Sequence, residues 1–401
     1  MKSNNYTFID LFAGAGGLSL GFCNAGYTGI FAIEKNKDAF STLYFNLISK
    51  NKFNWPQWLP RTELDIVEVL KTYKKELYKL KGEIDIVVGG PPCQGFSMAG
   101  RRDHSDFRNT MVNNYIEFVK CVKPKYILLE NVHGISVDFK LNNGDKIKYS
   151  EVVIEGLKKL GYNIKVKEIF MDEYGIPQRR KRFILVGSLK KNIDDFFEKL
   201  DKYKLKFLKK KQLNIRTTVG DAISDLLESN GIYKCPDCKQ FFYSGYYGNI
   251  NTSYQRFMRK KIKSDENPDS HRFANHSKQI QEMQKFMIEH LEHGKRYKPS
   301  DNLVPNLKRR GVVLLDPNSP APTVTTHPDD FVHYSEPRIL TVRELARIQS
   351  FPDWYQFKGK YTTGGELRKK DVPRFTQVGN AVPPLFAEQL AEIFKEFLYN
   401  D

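Results

Sequence analysis

Short apolar runs alternate along the first half of the chain with stretches whose apolar residues recur every three or four positions. Thr7-Phe-Ile-Asp-Leu-Phe12, Ile30-Phe-Ala-Ile33, Glu83-Ile-Asp-Ile-Val-Val88 and Lys125-Tyr-Ile-Leu-Leu129 have the length and β-branched or aliphatic content of buried strands. Between them, Asp38–Ser49 places Phe40, Leu43, Tyr44, Leu47 and Ile48 on one helical face. Val67–Leu80, after an element opening at Leu64-Asp65-Ile66, and Asn109–Val122 read as helices. Ser150 is the expected N-cap of Glu151–Leu160, which carries Val153, Leu157 and Leu160 on one face and is closed by Gly161. Asn163–Phe170 and Arg182–Gly187 are two more strands. Strands alternating with helices through residue 188 predict an α/β fold with a twisted, mostly parallel sheet.

The pattern then breaks. Lys202–Lys211 is dense in lysine, and Tyr233–Ser264 mixes Tyr, Phe, Gly and basic residues without a period. A helix returns at Gln279–His293, with Gly294 as its stop. Order resumes at Thr341 and ends in a helix over Pro384–Leu398. Residues 190–336 therefore read as a separate, irregular, basic region. The 401 residues are 40% hydrophobic and 28% charged, ordinary for a globular chain, but the net charge is +17. That excess points to a polyanionic partner, nucleic acid first; the plainer reading is a lysine-rich surface that merely solvates the protein. Aromatics interleaved with Arg and Lys favour the former. No apolar run approaches the ~18 residues of a membrane span, Met1–Tyr6 is polar, and five scattered cysteines fit a reducing cytosol rather than a disulfide framework.

Three strand ends carry the candidate chemistry. Ala13-Gly-Ala-Gly-Gly17 follows the first strand and precedes an apolar, helix-like stretch, the arrangement that cradles a nucleotide or phosphate. It is not the dinucleotide fingerprint, because Ser19 stands where the third glycine belongs. Glu34, about 20 residues beyond the turn, ends the second strand where an acid can hold ribose hydroxyls; a solvated helix start is the plainer alternative. Gly89-Gly-Pro-Pro-Cys-Gln-Gly-Phe-Ser97 follows the third strand, and its prolines stiffen a turn that presents Cys93 as either a nucleophile or a packed thiol. Glu130 ends the fourth, and Gln178-Arg-Arg-Lys-Arg182 brings cations to the mouth of another. Together these groups suit nucleophilic attack on an electron-poor ring with an acid assisting.

These segments resemble the DNA cytosine-5 methyltransferases. The match covers about 1–190 and 337–401: Asp10-Leu-Phe-Ala-Gly-Ala-Gly-Gly17, Gly90-Pro-Pro-Cys-Gln-Gly-Phe-Ser97, Glu130-Asn-Val132, Gln178–Arg182, Arg343-Glu-Leu-Ala-Arg-Ile-Gln349 and Gln377-Val-Gly-Asn-Ala-Val-Pro383, in the family's order. The resemblance implies a Rossmann-like, S-adenosylmethionine-dependent sheet with a second, smaller, irregular target-recognition domain. The expected boundaries are 1–190 and 370–401 for the catalytic domain, 191–336 for recognition, and 337–369 for a hinge and return segment. It implies that Phe12, Gly14, Ala15, Gly16, Leu18, Glu34, Asp65, Ile66, Pro91, Asn380 and Val382 line the cofactor site. Cys93 would attack carbon 6 of a flipped-out cytosine, Glu130 would hold ring nitrogen 3, and Arg182 would hold the 2-oxygen, with Arg180 nearby. The loop Gln94–Arg108, with Gly95 and Gly100, would close over the base. The implied substrate is a specific double-stranded DNA sequence, methylated by a monomer. A cognate restriction endonuclease or defence partner, a prokaryotic cytoplasm and association with the nucleoid through DNA go with that reading.

An RNA cytosine-5 methyltransferase, or a DNA-binding protein that kept the fold without catalysis, are the rival readings. The long basic region argues for DNA, and the joint presence of Cys93, Glu130 and Arg182 argues for catalysis. No metal is expected. Cys235-Pro-Asp-Cys238 has zinc-knuckle spacing but no second cysteine pair; His271 and His276 are distant completers, and free thiols in a tight turn are favoured over zinc. Cys23 and Cys121 read as core. His104 and Arg309-Arg310 read as surface or phosphate contacts.

Overall fold

The computed structural model describes residues 6–92, 109–140, 146–238, 241–305, 307, 311–363 and 371–399. Cys93, the loop Gln94–Arg108 with His104, and Arg309-Arg310 lie outside them. The chain divides into two compact units: residues 1–170, 181–205 and 386–401 form the first, and residues 171–180 and 206–385 the second. Residues 191–205 thus group with the sheet, and residues 370–385 group with the second unit.

The first unit is built on six strands, β1 (Thr7–Leu11), β2 (Thr28–Ile33), β3 (Ile86–Gly89), β4 (Tyr126–Val132), β5 (Asn163–Phe170) and β6 (Lys181–Ser188), in the order β2-β1-β3-β4-β6-β5. β2, β1, β3 and β4 run parallel, while β6 is antiparallel to both β4 and β5. Phe8, Ile9, Leu11, Ile86, Val87, Val88, Ile127, Leu128 and Leu129 are all fully buried, which is why these strands read as continuous apolar runs. The chain leaves β1 toward β2 on one side and pairs β1 with β3 on the other. The carboxyl ends of β1 and β3 therefore flank the topological switch point, where open α/β sheets hold ligands.

Helix Asn109–Val122 falls where its periodicity places it, and Asp38–Ser49 becomes Lys37–Leu43 followed by a wider turn over Tyr44–Ile48. Three expectations are corrected. Val67–Leu80 is two helices, Ile66–Thr72 and Lys74–Lys79, meeting at Tyr73, whose backbone (φ −109°, ψ 21°) is off the helical values. Helix Tyr149–Lys159 is entered from Lys148, and Ser150 is a buried residue of its first turn rather than its cap. The lysine-dense stretch belongs to helix Phe196–Lys210, whose buried Phe196, Leu200, Phe207 and Leu208 are masked in sequence by the lysines between them. The last helix, Pro384–Tyr399, returns to the first unit, where Phe394 lies 4.7 Å from the Phe196 ring and 5.8 Å from Tyr126.

The second unit has small sheets. Val312–Leu314 pairs with Arg296–Tyr297 and with Phe331–Val332 over a cluster of Met287, Tyr297, Val304, Val312, Leu314 and Val332. A hairpin joins Ile232–Lys234 to Tyr243–Gly245. Helix Val342–Ile348 is buried along its whole length, including Arg343 and Arg347.

Candidate active site

The turn after β1 is shaped for close approach. Phe12, Gly14 and Gly16 all adopt left-handed backbone conformations, at φ 59°, 55° and 85°. At Gly14 an added Cβ would meet nothing within 4 Å, so the glycine serves the conformation and leaves open space beside it. Helix Gly17–Asn24 follows, and its start is fixed from below. Asp10, fully buried in β1, accepts hydrogen bonds through Oδ2 from the Ser19 amide (3.1 Å) and hydroxyl (2.6 Å). Burial pushes the Asp10 carboxyl up to about 7. Ala15 and Leu18 are buried beside it.

Glu34, half-buried at the end of β2, closes the same turn. Its Oε2 accepts from the Gly14 amide at 2.8 Å and its Oε1 from the Asn36 amide at 2.7 Å. Each carboxylate oxygen can accept a second bond, so the group that ties the two turns together can still receive ribose hydroxyls. Desolvation raises its pKa despite those amides. Asp65 caps helix Ile66–Thr72 through the Val67 amide at 2.9 Å and pairs with Lys35 at 2.7 Å, and Ile66 is buried behind it. Left-handed glycines, a two-way carboxylate and an apolar residue fit a nucleoside-bearing cofactor.

On the other flank of the switch point, Gly89 lets β3 pass β1: a Cβ there would sit 2.9 Å from the Leu11 carbonyl oxygen. Pro91 is buried, and its carbonyl accepts from Asn131 Nδ2 at 3.2 Å. Asn131 Oδ1 in turn accepts from the Val132 amide at 2.7 Å, so Asn131 fastens the proline loop to the end of β4. Gly90 lies against Glu130, with its Cβ direction 3.4 Å from Oε2. Glu130 and Arg182 project from adjacent antiparallel strands, where Val132 pairs with Arg182 and Glu130 with Ile184. Arg182 Nε lies 3.0 Å from Glu130 Oε1, with both side chains about nine-tenths buried. That contact is an ion pair without hydrogen-bond alignment, and Oε1 has no aligned donor among the described residues. A buried acid with one oxygen lacking an aligned donor is suited to engage a substrate group.

Within the second unit, Arg180 serves as a carbonyl clamp. Its Nη1 donates to the Val324 and Gly379 carbonyls, both at 3.2 Å, and its Nη2 donates to Gly379 at 3.2 Å. Gly379 precedes Asn380, the exposed last residue of helix Arg374–Asn380, and Val382 is buried just beyond. Cys121 is buried, whereas Cys23 is half-buried with its thiol pushed up to about 12 by desolvation. His271 and His276 do not join Cys235 and Cys238; His271 Nδ1 meets Thr341 Oγ1 at 2.8 Å instead.

Sequence reading missed Asp10 and Asn131 as individual residues, although each lies in a quoted motif. An acid inside an apolar strand was the available signal for Asp10. Asn131 gave none, because its partner is a backbone carbonyl forty positions away. A depression of about 520 Å³ lined by Tyr162, Asn163, Lys165 and Asp194 lies at the opposite, β5-start edge of the sheet and holds none of these groups.

The α/β fold is shared with a known methyltransferase. A solved structure described as a prophage-encoded DNA modification methyltransferase from E. coli superposes with a TM-score of 0.65 at 25% identity, covering 98% of this chain and all of that one. The family model for C-5 cytosine-specific DNA methylases matches residues 6–396, and the chain belongs to that family. Among curated relatives, the Type II methyltransferase M.DdeI of Desulfomicrobium norvegicum is 33% identical over 98% of this chain and 89% of its own length. M.XorII of Xanthomonas oryzae pv. oryzae is 31% identical over 94% and 82%. The chain is thus a DNA (cytosine-5) methyltransferase by family. Among the described residues, no helix is long and apolar enough to cross a membrane.

Proposed function

We propose that this chain methylates carbon 5 of a cytosine flipped out of a specific duplex DNA sequence, through a transient bond to Cys93. The observation that carries this reading is the buried Glu130–Arg182 pair beside Gly90, three residues before that cysteine. The sulfur of Cys93 adds to carbon 6 and pushes electron density into the ring. Glu130 holds ring nitrogen 3 and Arg182 the 2-oxygen, stabilising the charge that develops there. Carbon 5 becomes nucleophilic; once it is methylated, loss of its proton and departure of Cys93 restore the aromatic ring. S-adenosylmethionine supplies the electrophilic methyl when bound. The turn Phe12–Gly16, Leu18, Glu34, Asp65, Ile66 and Pro91, with Asn380 and Val382, are the residues assigned to hold it. Arg180 we assign to positioning, through the carbonyl that precedes Asn380.

Flipping the base costs a few kcal/mol, offset by pocket contacts. The net charge of +17 supports attraction to the phosphate backbone, and the second unit supports sequence reading. The relatives named as Type II methyltransferases support a restriction–modification setting with a cognate endonuclease. Base-resolution mapping of 5-methylcytosine in cells expressing the chain identifies the target. Duplex carrying 5-fluorocytosine at that position should then trap a covalent complex with the wild type and none with Cys93→Ala. Methylation at a comparable rate by Cys93→Ala overturns the mechanism.

A further inference from the structure

We propose that Cys235, Asp237 and Cys238 form a binding site for one thiophilic divalent cation, zinc in class, at the turn of the second unit's hairpin. The hairpin delivers the donors: Ile232–Lys234 pairs with Tyr243–Gly245, and the Cys235 amide donates to the Phe242 carbonyl at 2.8 Å, fixing the first cysteine at the hairpin's end. Pro236 then turns the chain so that Asp237 and Cys238 point back. Cys235 Sγ lies 2.9 Å from Cys238 Sγ and 3.2 Å from Asp237 Oδ1. All three donor atoms fall within 4.8 Å of one another, and no other group of three or more such ligands occurs among the described residues. Cys235 is 2% exposed, Cys238 is half-buried and Asp237 is exposed, so three electron-rich atoms converge at a point that an ion can reach from solvent.

The surrounding residues orient these donors as an outer shell does in metal sites. Arg374 Nη2 holds Asp237 Oδ2 at 2.6 Å, and the Tyr361 hydroxyl donates to Oδ1 at 3.0 Å. Oδ1 is thereby kept on the sulfur side. Arg272 Nη1 approaches Cys238 Sγ at 3.7 Å, with its guanidinium stacked between Phe242 (4.2 Å) and Tyr361 (4.1 Å). Charge balances: a divalent cation replaces the two thiol protons it displaces, so the site's net charge is unchanged beside the two arginines. The three protein donors leave a fourth tetrahedral position for water. The cation would close the hairpin turn.

The test uses the full chain, purified under reducing conditions, loaded with Zn²⁺, and dialysed before metal analysis. One equivalent retained by the wild type and lost in both Cys235→Ser and Cys238→Ser supports the site. Asp237→Asn should weaken retention about 10-fold or more. Less than a tenth of an equivalent in the wild type, or equal retention in the cysteine variants, overturns it. So does a mass two daltons low that marks a Cys235–Cys238 disulfide formed in place of metal uptake. Should the variants fail to fold, Co²⁺ added to the wild type decides: thiolate-to-cobalt charge-transfer absorption is expected, and its absence refutes the proposal.

Discussion

At the carboxyl edge of the central sheet Glu130 meets the Arg182 guanidinium off hydrogen-bond alignment, while in the second unit Asp225, Asp353 and Glu344 are hydrogen-bonded by buried arginines. Arg347, fully buried, donates to Asp225 Oδ1 and Oδ2 and to both oxygens of Asp353, at 2.9 and 2.7 Å for the latter. Arg338 grips Glu344 with a two-pronged fork (2.8 and 2.7 Å) and reaches Glu336 at 2.8 Å. Glu344 also completes the capping box with Thr341 at the start of helix Val342–Ile348. Arg343 spends its guanidinium on the carbonyls of Asp269, Pro352 and Tyr355. Two quoted motifs, Glu130-Asn-Val132 and Arg343–Gln349, thus both bury charge and bond it differently. Glu130 Oε1 has no aligned donor among the described residues at its strand end, whereas Arg343, Glu344 and Arg347 are all bonded within the second unit.

The largest effect should follow from breaking the unsaturated side. Glu130→Gln keeps the shape and some hydrogen-bonding capacity but removes the carboxylate, so methyl transfer should fall by about 10²–10⁴-fold. The unfolding midpoint should hardly move. Single-turnover transfer on mapped target DNA, beside a thermal melt, checks both halves. A variant that melts early and transfers normally would place Glu130 with the structural acids. The saturated side should behave the other way. Asp225→Ala removes one of the two carboxylates that Arg347 grips, leaving Asp353, and should cost about 1–3 kcal/mol of stability. Activity per folded molecule should be retained at a temperature where the variant is folded. Denaturant titration measures the cost, and a loss below about 1 kcal/mol would mean that Arg347 finds other acceptors.

Legibility in the sequence followed the same division. Strands β1 to β4 were readable because parallel strands buried on both faces must be apolar throughout, and the glycines and acids at their ends stand out against such runs. The antiparallel edge was not, since nothing in the composition of β6 says which way it runs. Glu130, Arg182, Glu34 and the glycine turn were named from residue type and position, yet the pairing of Glu130 with Arg182 depends on a register between strands 50 positions apart. The second unit resisted reading for a physical reason: beside its apolar cluster it is held by buried ion pairs and carbonyl clamps such as Arg347–Asp225, which span 122 positions and leave no period. Its tyrosines, read as nucleic-acid contacts, include the buried Tyr254, whose hydroxyl donates to the Arg347 carbonyl at 2.7 Å.

The comparison also predicts opposite responses to acid. In the second unit, burial lowers the pKa of His271 to about 4 and of His333 to about 3, from 6.5. Desolvation opposes Arg338 at Glu344, but the guanidinium prevails and holds the carboxyl at about 2, below 4.5. Each group binds fewer protons folded than unfolded. Their contribution is complete above pH 6.5 for the histidines and above 4.5 for Glu344, and it drains away as pH falls through the folded values. Asp10 in the first unit is reversed. Its pKa is raised from 3.8 to about 7, so the folded state binds the extra proton, and the contribution present below 3.8 is lost as pH rises through 7. Asp10→Asn cannot titrate and should remove that loss. The stability of the wild type relative to Asp10→Asn should therefore be greatest near pH 4 and decline toward pH 8, where the ionised carboxylate must stay buried. Urea midpoints of the two chains across that range report it. Curves that stay parallel would show that Asp10 is ionised throughout, its buried charge satisfied by the Ser19 amide and hydroxyl alone.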